Sequence, residues 1–480
     1  MPNERPHILV LMTDQHRGDC LGVAGHPCVE TPHLDQLAHE GAYFPRAYTA
    51  SPACVPARMT FMTGQTAYRL GWQDNSGKEL NETETLPAVL GRSSYQTRGV
   101  GKMHFTPQRA CYGFDNVVLN ESGRYSGGDD YHRFLMDTPY AGMERAHSIG
   151  NNDVFARRSI VPETHHINTW TANQAIDTLD TRDPTRPLFL FCSFSRPHSP
   201  YDPPAPYDEW YDPDSVPLPL AVRDDLPPQA EQKRAIYDWD QLTPKQIQKA
   251  RSHYLGQITH IDHQIGRVCG AFKRNGMWDN TLAMFFADHG DMMGDFGLFF
   301  KTHFWEGSAR IPMIMRPPKA WDDVERGVTY DGVVDIMDIF PTMTEAAGAT
   351  SDSPVDGTSL LPTVKGGDPV GDRVFYGEWR HGSHDRMEVC LIDRNMKYIW
   401  HQWGGLEELF DLDRDPTEQT NLFGGISDTE KNRWRQGIID RVASRPEQEM
   451  VRDGVLVANH DPMQDEQVLR VQEPFGRRSF

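Results

Sequence analysis

With 480 residues, 48 Lys+Arg against 68 Asp+Glu and a formal charge of −20, the chain can bury a large core and hold two to four domains of ~100–200 residues. Its 38% apolar and 24% charged residues exclude a disordered chain, and the acidic balance argues against a nucleic-acid protein, which needs excess Lys and Arg. An anionic small substrate stays open, because a pocket can be cationic in an acidic protein.

Taken in chain order, Ile8–Met12 is a short apolar run that predicts a central strand ending at Thr13-Asp14. It is too short for a signal-peptide core (~7–15 residues) or a membrane span (~20), and no later run is long enough. The expectation is a cytoplasmic protein that does not contact a membrane. Thr31-Pro32 predicts a helix start, with Thr31 as N-cap, an apolar face of Leu34, Leu37 and Ala38, and Gly41 at the C′ position. Met59, Phe61 and Met62 suggest a helix after Ser51-Pro52. Ala172, Ala175, Ile176 and Leu179 mark another, leading into a buried strand over Leu188–Phe194.

A long helix carries Tyr254, Ile258, Ile261, Ile265, Val268 and Phe272 on one face and ends at Asn275-Gly276. Leu282–Ala287 is a third buried strand, ending at Asp288-His289-Gly290, and Ile311–Met315 a fourth. The alternation predicts an α/β protein, with a large mixed, mostly parallel sheet sandwiched by helices. Beyond about residue 365, strands over Val374–Trp379, Glu388–Ile392 and Lys397–Gln402, with a helix over Asp428–Val442, predict a smaller C-terminal antiparallel sheet plus helix. The expected division is a catalytic domain over 1–365, a C-terminal α+β subdomain over 366–445 and an arm over 446–480. The arm lacks the pattern of an independent core, which points to a homo-oligomer or to an arm that wraps its own subunit. The Pro-rich segment 200–245 reads as a surface excursion.

Ligands bind outside the carboxyl ends of parallel strands. Two such ends carry Asp14-Gln15 and Asp288-His289. Two carboxylates, an amide oxygen and an imidazole suit one divalent cation, Ca²⁺, Mg²⁺ or Mn²⁺. The seven cysteines are odd in number and scattered, without a CxxC pair, so most should be packing residues, Cys20, Cys28 and Cys111 among them. Cys54, in Ser51-Pro-Ala-Cys-Val-Pro-Ala-Arg58, stands where a helix should start, a place that favours negative charge, with Arg58 one turn on. Spacing alone leaves it as either a nucleophile or a buried structural cysteine.

Cys54-Val-Pro-Ala-Arg58 resembles the C-x-P-x-R signature of the formylglycine-dependent sulfatases of the alkaline phosphatase superfamily. Thr31-Pro-His-Leu-Asp-Gln-Leu37, Tyr95–His104, Arg196-Pro-His-Ser-Pro200, Ala287-Asp-His-Gly290, Lys301 with Trp305-Glu306, Val334-Asp-Ile, Asp356-Gly-Thr-Ser-Leu and Glu408–Pro416 follow in the family's order. Ser94 and Met103 depart from it. The resemblance implies an alkaline-phosphatase-like fold and conversion of Cys54 by a formylglycine-generating maturation enzyme. The hydrated aldehyde would be the nucleophile. Asp14, Gln15, Cys54, Asp288 and His289 match the metal positions, with Ca²⁺ or Mn²⁺ as the ion. Many sulfatases have Asp where Gln15 stands and Asn where His289 stands.

By the same resemblance Arg58 orients the diol, and Lys102 and Lys301 hold the substrate's non-bridging oxygens. His104 helps deprotonate the diol during sulfate release, His198 with Lys301 assists the leaving alkoxide, and Asn75 hydrogen-bonds the sulfate. His303 is either a pocket-lining residue or a structural neighbour of Lys301, and Glu306 with Arg310 reads as a structural ion pair. The implied activity is arylsulfatase-like cleavage of a small-molecule sulfate ester. The alternative is a promiscuous phosphonate monoester or phosphodiester hydrolase, whose group Gln15 and His289 resemble. Lys102 and His104 favour the sulfatase. A degenerate binding protein is disfavoured because no named catalytic position is missing. An unmodified cysteine hydrolase would need a His base at Cys54, which the sequence does not place.

Overall fold

The structure is a computed structural model that describes residues 5–76, 78–80, 83–121, 129–367, 373–382, 386–445 and 450–460. Its main sheet has eight strands, in the order Val328–Thr329, Ala42–Tyr43, Met313–Arg316, Thr281–Ala287, His7–Asp14, Leu188–Pro197, Gln96–Gly101 and Asn116–Leu119. His7–Asp14 lies at its centre, parallel to both neighbours, and Thr13 is level with Phe194 on one side and Ala287 on the other. That register sets Asp14 beside Asp288. Only Met313–Arg316 runs antiparallel to its neighbours.

The apolar runs are continuous because both faces of the sheet are covered. Ile8, Val10 and Met12 pack with Met59, Phe61 and Met62 of the Cys54–Thr63 helix. Leu9 and Leu11 pack on the other side with Leu34 and Leu37, Ala172 and Leu179, and Ile261 and Ile265. These last residues come from the helices Pro32–His39, Ile167–Asp180 and Pro244–Arg274. The architecture expected from the sequence is the one observed.

Three local expectations are corrected. Thr31 does not cap the Pro32–His39 helix with its side chain. Asp262, from the long helix, accepts the His33 and Leu34 N–H groups at 3.1 and 2.8 Å. Gly41 holds the C′ position after the C-cap Glu40, but without the left-handed conformation usual for glycine there. It is needed because a Cβ there would lie 2.1 Å from the Met315 carbonyl oxygen. The fourth apolar run splits at Pro312: Arg310–Ile311 pairs with Ala47–Tyr48 in a small separate sheet, and only Met313–Arg316 joins the main one. Proline supplies no N–H for a ladder. All seven cysteines are free; five are buried, but Cys28 is half-buried and Cys111 is exposed.

Phe375–Arg380, Met387–Asp393, Met396–His401 and Glu407–Asp411 form the antiparallel sheet. The fourth strand was not predicted. One face of the sheet packs Val389, Leu391 and Trp400 against Trp434, Ile438 and Val442 of the Asp428–Val442 helix. The other packs Cys390, Ile399 and Phe410 with Phe304 and Trp305, directly behind the chain segment that carries Lys301. Of the expected 446–480 arm, residues 450–460 are described. Val451–Arg452 pairs with Val455–Leu456, and the Asn459 N–H donates to the Gln402 carbonyl at 2.8 Å. Residues 461–480 lie outside the described residues. Among the described residues no helix is long and apolar enough to cross a membrane.

Buried charges also pair within the antiparallel sheet. His401 Nε2 faces Glu408 at 2.8 Å and its Nδ1 lies 3.5 Å from Glu388. Burial disfavours the charged ring, but Glu388 and Glu408 outweigh it and lift His401 to about 9. A pKa raised on folding contributes stability that is complete below the unfolded value of 6.5 and lost as pH climbs through about 9. The midpoint of thermal unfolding should therefore fall between pH 7 and 9.5. The loss is bounded at about 3.5 kcal/mol, a rise from 6.5 to about 9 at ~1.4 kcal/mol per pH unit. Calorimetry of His401→Gln should show that slope flattened; an unchanged slope would refute the assignment.

Candidate active site

Three strands deliver the site, as their parallel register requires. Asp14 ends the central strand, Asp288 follows Thr281–Ala287, and Ser193 lies on Leu188–Pro197. Arg58, 1% exposed, ties the three together. Its Nη2 donates to Asp14 Oδ2 at 3.0 Å, its Nε to Asp288 Oδ2 at 3.0 Å and its Nη1 to Ser193 Oγ at 2.9 Å and to the Lys102 carbonyl at 2.6 Å. A guanidinium suits this work because its donors are fixed in one plane.

Cys54 is the first residue of its helix and is 3% exposed. Its Sγ lies 3.1 Å from His289 Nε2 and 3.8 Å from Asp14 Oδ1. Burial and Asp14 push the thiol up, but Lys301, Lys102 and His289 outweigh them and bring it to about 7. The structure thus places beside Cys54 a histidine that sequence spacing could not. That imidazole faces carboxylates as well as the thiol: His289 Nε2 lies 3.7 Å from Asp288 Oδ1. Asp14, Cys54, Asp288 and His289 each offer a ligand atom within 4.8 Å of the others.

The donor set fits a divalent cation on two counts. His289 Nδ1 is 2.9 Å from the Gly290 carbonyl, so Nδ1 carries the hydrogen and Nε2 presents its lone pair to the cluster. Burial and the neighbouring Asp14 charge push Asp288 up, against Arg58 and Lys102. Two crowded carboxylates of this kind are what a cation relieves. Asp14 itself is held well below the usual carboxylate range: burial opposes its charge, and Lys102, Arg58 and Lys301 overcome that.

Gln15 has φ +68. Its N–H donates to Asp288 Oδ1 at 2.9 Å, and its Oε1 accepts from Lys301 Nζ at 2.7 Å. Lys301 Nζ also lies 2.7 Å from His198 Nε2. His198 Nδ1 is 2.8 Å from the Ser199 carbonyl, which leaves Nε2 to accept. Burial, then Lys301, holds His198 well below the usual imidazole value, so in this pair the proton sits on Lys301. Lys102 Nζ reaches Asp14 Oδ2 at 2.7 Å. Its position depends on Gly101, where φ is +98 and a Cβ would meet the Ser193 carbonyl oxygen at 1.9 Å.

The Met103 and His104 N–H groups both donate to Glu121 Oε1 at 3.0 Å, which sets the turn that carries His104. Asn75 Oδ1 accepts the Val55 N–H at 3.2 Å, so any contact with an anion must come from its amide nitrogen. His303 stacks on Trp305 with centroids 4.9 Å apart and Arg310 pairs with Glu306 at 3.1 Å, as the structural readings had it.

Sequence reasoning missed Ser193, Glu121 and Asp291. Asp291 Oδ1 accepts the Met293 and Phe300 N–H groups, and its place three residues after Asp288 was a usable signal. Ser193 and Glu121 carry none, because their partners come from distant segments.

The large mixed sheet with its helices and the smaller antiparallel sheet form an alkaline-phosphatase-like fold, with a cation-ready cluster and a cysteine at a helix start at the carboxyl ends of its strands. Within it, residues 6–349 match the sulfatase family and residues 294–442 match the N-sulphoglucosamine sulphohydrolase C-terminal family. The chain is similar to an arylsulfatase of Clostridium perfringens, 34% identical over 87% of this chain and 90% of that one. It is also similar to a choline-sulfatase of Rhizobium meliloti, 29% identical over 88% and 83%. Among solved structures it resembles the phosphonate monoester hydrolase of Agrobacterium radiobacter, with a TM-score of 0.78 and 25% identity over 95% of this chain and 100% of that one. The chain belongs to the sulfatase family, enzymes that hydrolyse sulfuric esters.

Proposed function

We propose that the protein hydrolyses aryl-type sulfate monoesters with a formylglycine made from Cys54. The observation that carries this reading is the convergence of Arg58, Lys102 and Lys301 on Asp14, Gln15 and Cys54. The three cations stand beside Cys54, where the head of a singly charged ester can meet a nucleophile. Cys54 Sγ stands where a hydroxyl of the hydrated aldehyde would lie.

One of its two hydroxyls gives up its proton to water and attacks sulfur as the alkoxide. The bond from sulfur to the alcohol oxygen breaks with its electron pair on that oxygen, which takes a proton from the Lys301–His198 pair. The second hydroxyl then loses its proton to His104. The bond between its carbon and the sulfate oxygen breaks with its pair on sulfate, the aldehyde re-forms, and water rehydrates it. A divalent cation held by Asp14, Gln15, Asp288 and His289 would acidify the attacking hydroxyl and offset substrate charge. Arg58 spans Asp14 and Asp288 and keeps both carboxylates oriented when the cation is bound. Ca²⁺ and Mn²⁺ both suit this donor set.

Phosphonate monoesters and phosphodiesters carry the same single charge, so the pocket does not reject them by charge. Gln15 and His289, with the likeness to the phosphonate monoester hydrolase, favour such activity as a side reaction. Lys102 and His104 favour sulfate, because they supply a cation and a base for its release. The kcat/KM for an aryl sulfate should exceed that for the matching phenyl phosphonate. Lys102→Ala should cost on the order of 10²–10³ in rate, as for loss of one preorganised charge stabiliser. A tenfold or larger phosphonate preference, or a silent Lys102→Ala, would overturn the sulfate reading.

A further inference from the structure

The backbone that presents Lys301 is strained on both sides. Phe300 has φ +66 and Thr302 has φ +80, a region that bulky and β-branched residues avoid. Such a conformation persists only where its surroundings over-determine it. Here the Phe300 N–H donates to Asp291 Oδ1 at 2.7 Å. The Thr302 N–H donates to the Pro52 carbonyl at 2.9 Å, two residues before Cys54. Further on, Glu388 Oε1 accepts the Phe304 N–H at 2.8 Å and Lys397 Nζ donates to the Phe304 carbonyl at 2.8 Å.

One side chain grips Lys301 itself. Lys233, on the Pro228–Ile236 helix, donates from Nζ to the Lys301 carbonyl at 3.0 Å and to the Thr302 hydroxyl. Burial and the nearby Lys301 charge bring Lys233 down to about 7, against the pull of Glu388 in the antiparallel sheet, and its Nζ donates to both acceptors in either protonation state. His303, His381 and Glu388 also lie within ligand reach of one another. Both Glu388 oxygens are already engaged, Oε1 by Phe304 and Oε2 by His381 at 3.0 Å, so this cluster reads as part of the anchor.

We propose that Lys233 is a positioning residue for expulsion of the alcohol. By pinning the Lys301 carbonyl and the Thr302 hydroxyl it keeps the Lys301 ammonium between Gln15 and His198, next to the oxygen on which the breaking bond leaves its electron pair. The segment 200–245, read from sequence as a surface excursion, thereby supports the chemistry. The inference rests on the hydrolytic reading above and on the place of Lys301 in it.

Charge on the leaving oxygen grows as the alcohol becomes less acidic, so a displaced Lys301 costs most for poor leaving groups. The test is kcat/KM of the full-length, metal-loaded enzyme over a series of aryl sulfates of rising leaving-group pKa, normalised to formylglycine content by mass spectrometry. For Lys233→Met the loss should grow from a few-fold for a nitrophenol to on the order of 10² for an unactivated phenol. Lys233→Arg should restore most of it. Lys301→Ala combined with Lys233→Met should be no slower than Lys301→Ala alone.

Thr302→Val removes the second acceptor, leaves the helix untouched and should show the same trend, so the outcome does not depend on one variant folding. The same fractional loss for every leaving group, or multiplicative losses in the double variant, would overturn the proposal. The wild-type preference between sulfate and phosphonate reports separately on the hydrolytic reading. If it favours phosphonates, the same ratios are measured on an aryl phosphonate series.

Discussion

Cys54→Ser should yield a folded protein that accepts the cation, transfers sulfate at most once per site and then stalls. Serine can attack sulfur, but its carbon carries no second hydroxyl whose deprotonation would expel the sulfate. Steady-state turnover should fall by on the order of 10³ or more, while a first-turnover burst of alcohol survives. Cys54→Ala should lose the burst as well. In active wild-type enzyme, the peptide spanning Ser51–Arg58 should have the mass of the aldehyde or its hydrate. Fully active material with an intact Cys54 thiol would overturn the reading. The thiol at about 7 beside His289 would then point to direct cysteine chemistry.

Asp288→Ala should abolish activity and metal content together. Asp288 Oδ1 accepts the Gln15 and His289 N–H groups and Oδ2 accepts from Arg58 Nε. One carboxylate therefore orients two of the other proposed ligands and the guanidinium that aligns Asp14. Its removal takes away a ligand and loosens the rest. It also strands part of a buried ion pair, which costs ~3–5 kcal/mol when one partner is lost. Asp288→Asn keeps the shape and should separate the effects, recovering stability without recovering metal. Elemental analysis of purified wild-type protein should find about one divalent ion per chain, and its activity should return after chelation when Ca²⁺ or Mn²⁺ is restored. Full occupancy in Asp288→Ala would place the site elsewhere.

The strands that carry the site were legible because both faces of the sheet are buried. Ile8–Met12 and Leu282–Ala287 had to be continuous apolar runs, and Leu188–Phe194 one broken only by Ser193, with a polar residue after each to mark the exit. The helix expected around Asp428–Val442 stands there and packs on the antiparallel sheet. Glu407–Asp411 was not legible, since its acidic residues look like a solvated turn until Glu408 is seen buried against Arg223 and His401. The helix cap misassigned to Thr31 fails in the same way. Thr31 is the local candidate, and Asp262 competes for the same N–H groups from more than two hundred residues away.

Local pattern and ordered motifs in the sequence determined the fold class, the strand ends that meet, and the residues Asp14, Gln15, Cys54, Arg58, Lys102, Asp288, His289 and Lys301 that stand there. Burial imposes a short-range period on the chain, and chemistry demands particular residue types at strand ends and helix starts. Only the tertiary structure decided which nitrogen of His289 and His198 faces inward, that Lys301 rather than His198 holds the shared proton, and that Lys233 and Glu388 brace the strained turn around Lys301. Those facts depend on hydrogen bonds between segments far apart in sequence. Each such bond is set by sheet register and packing, and no local spacing encodes it.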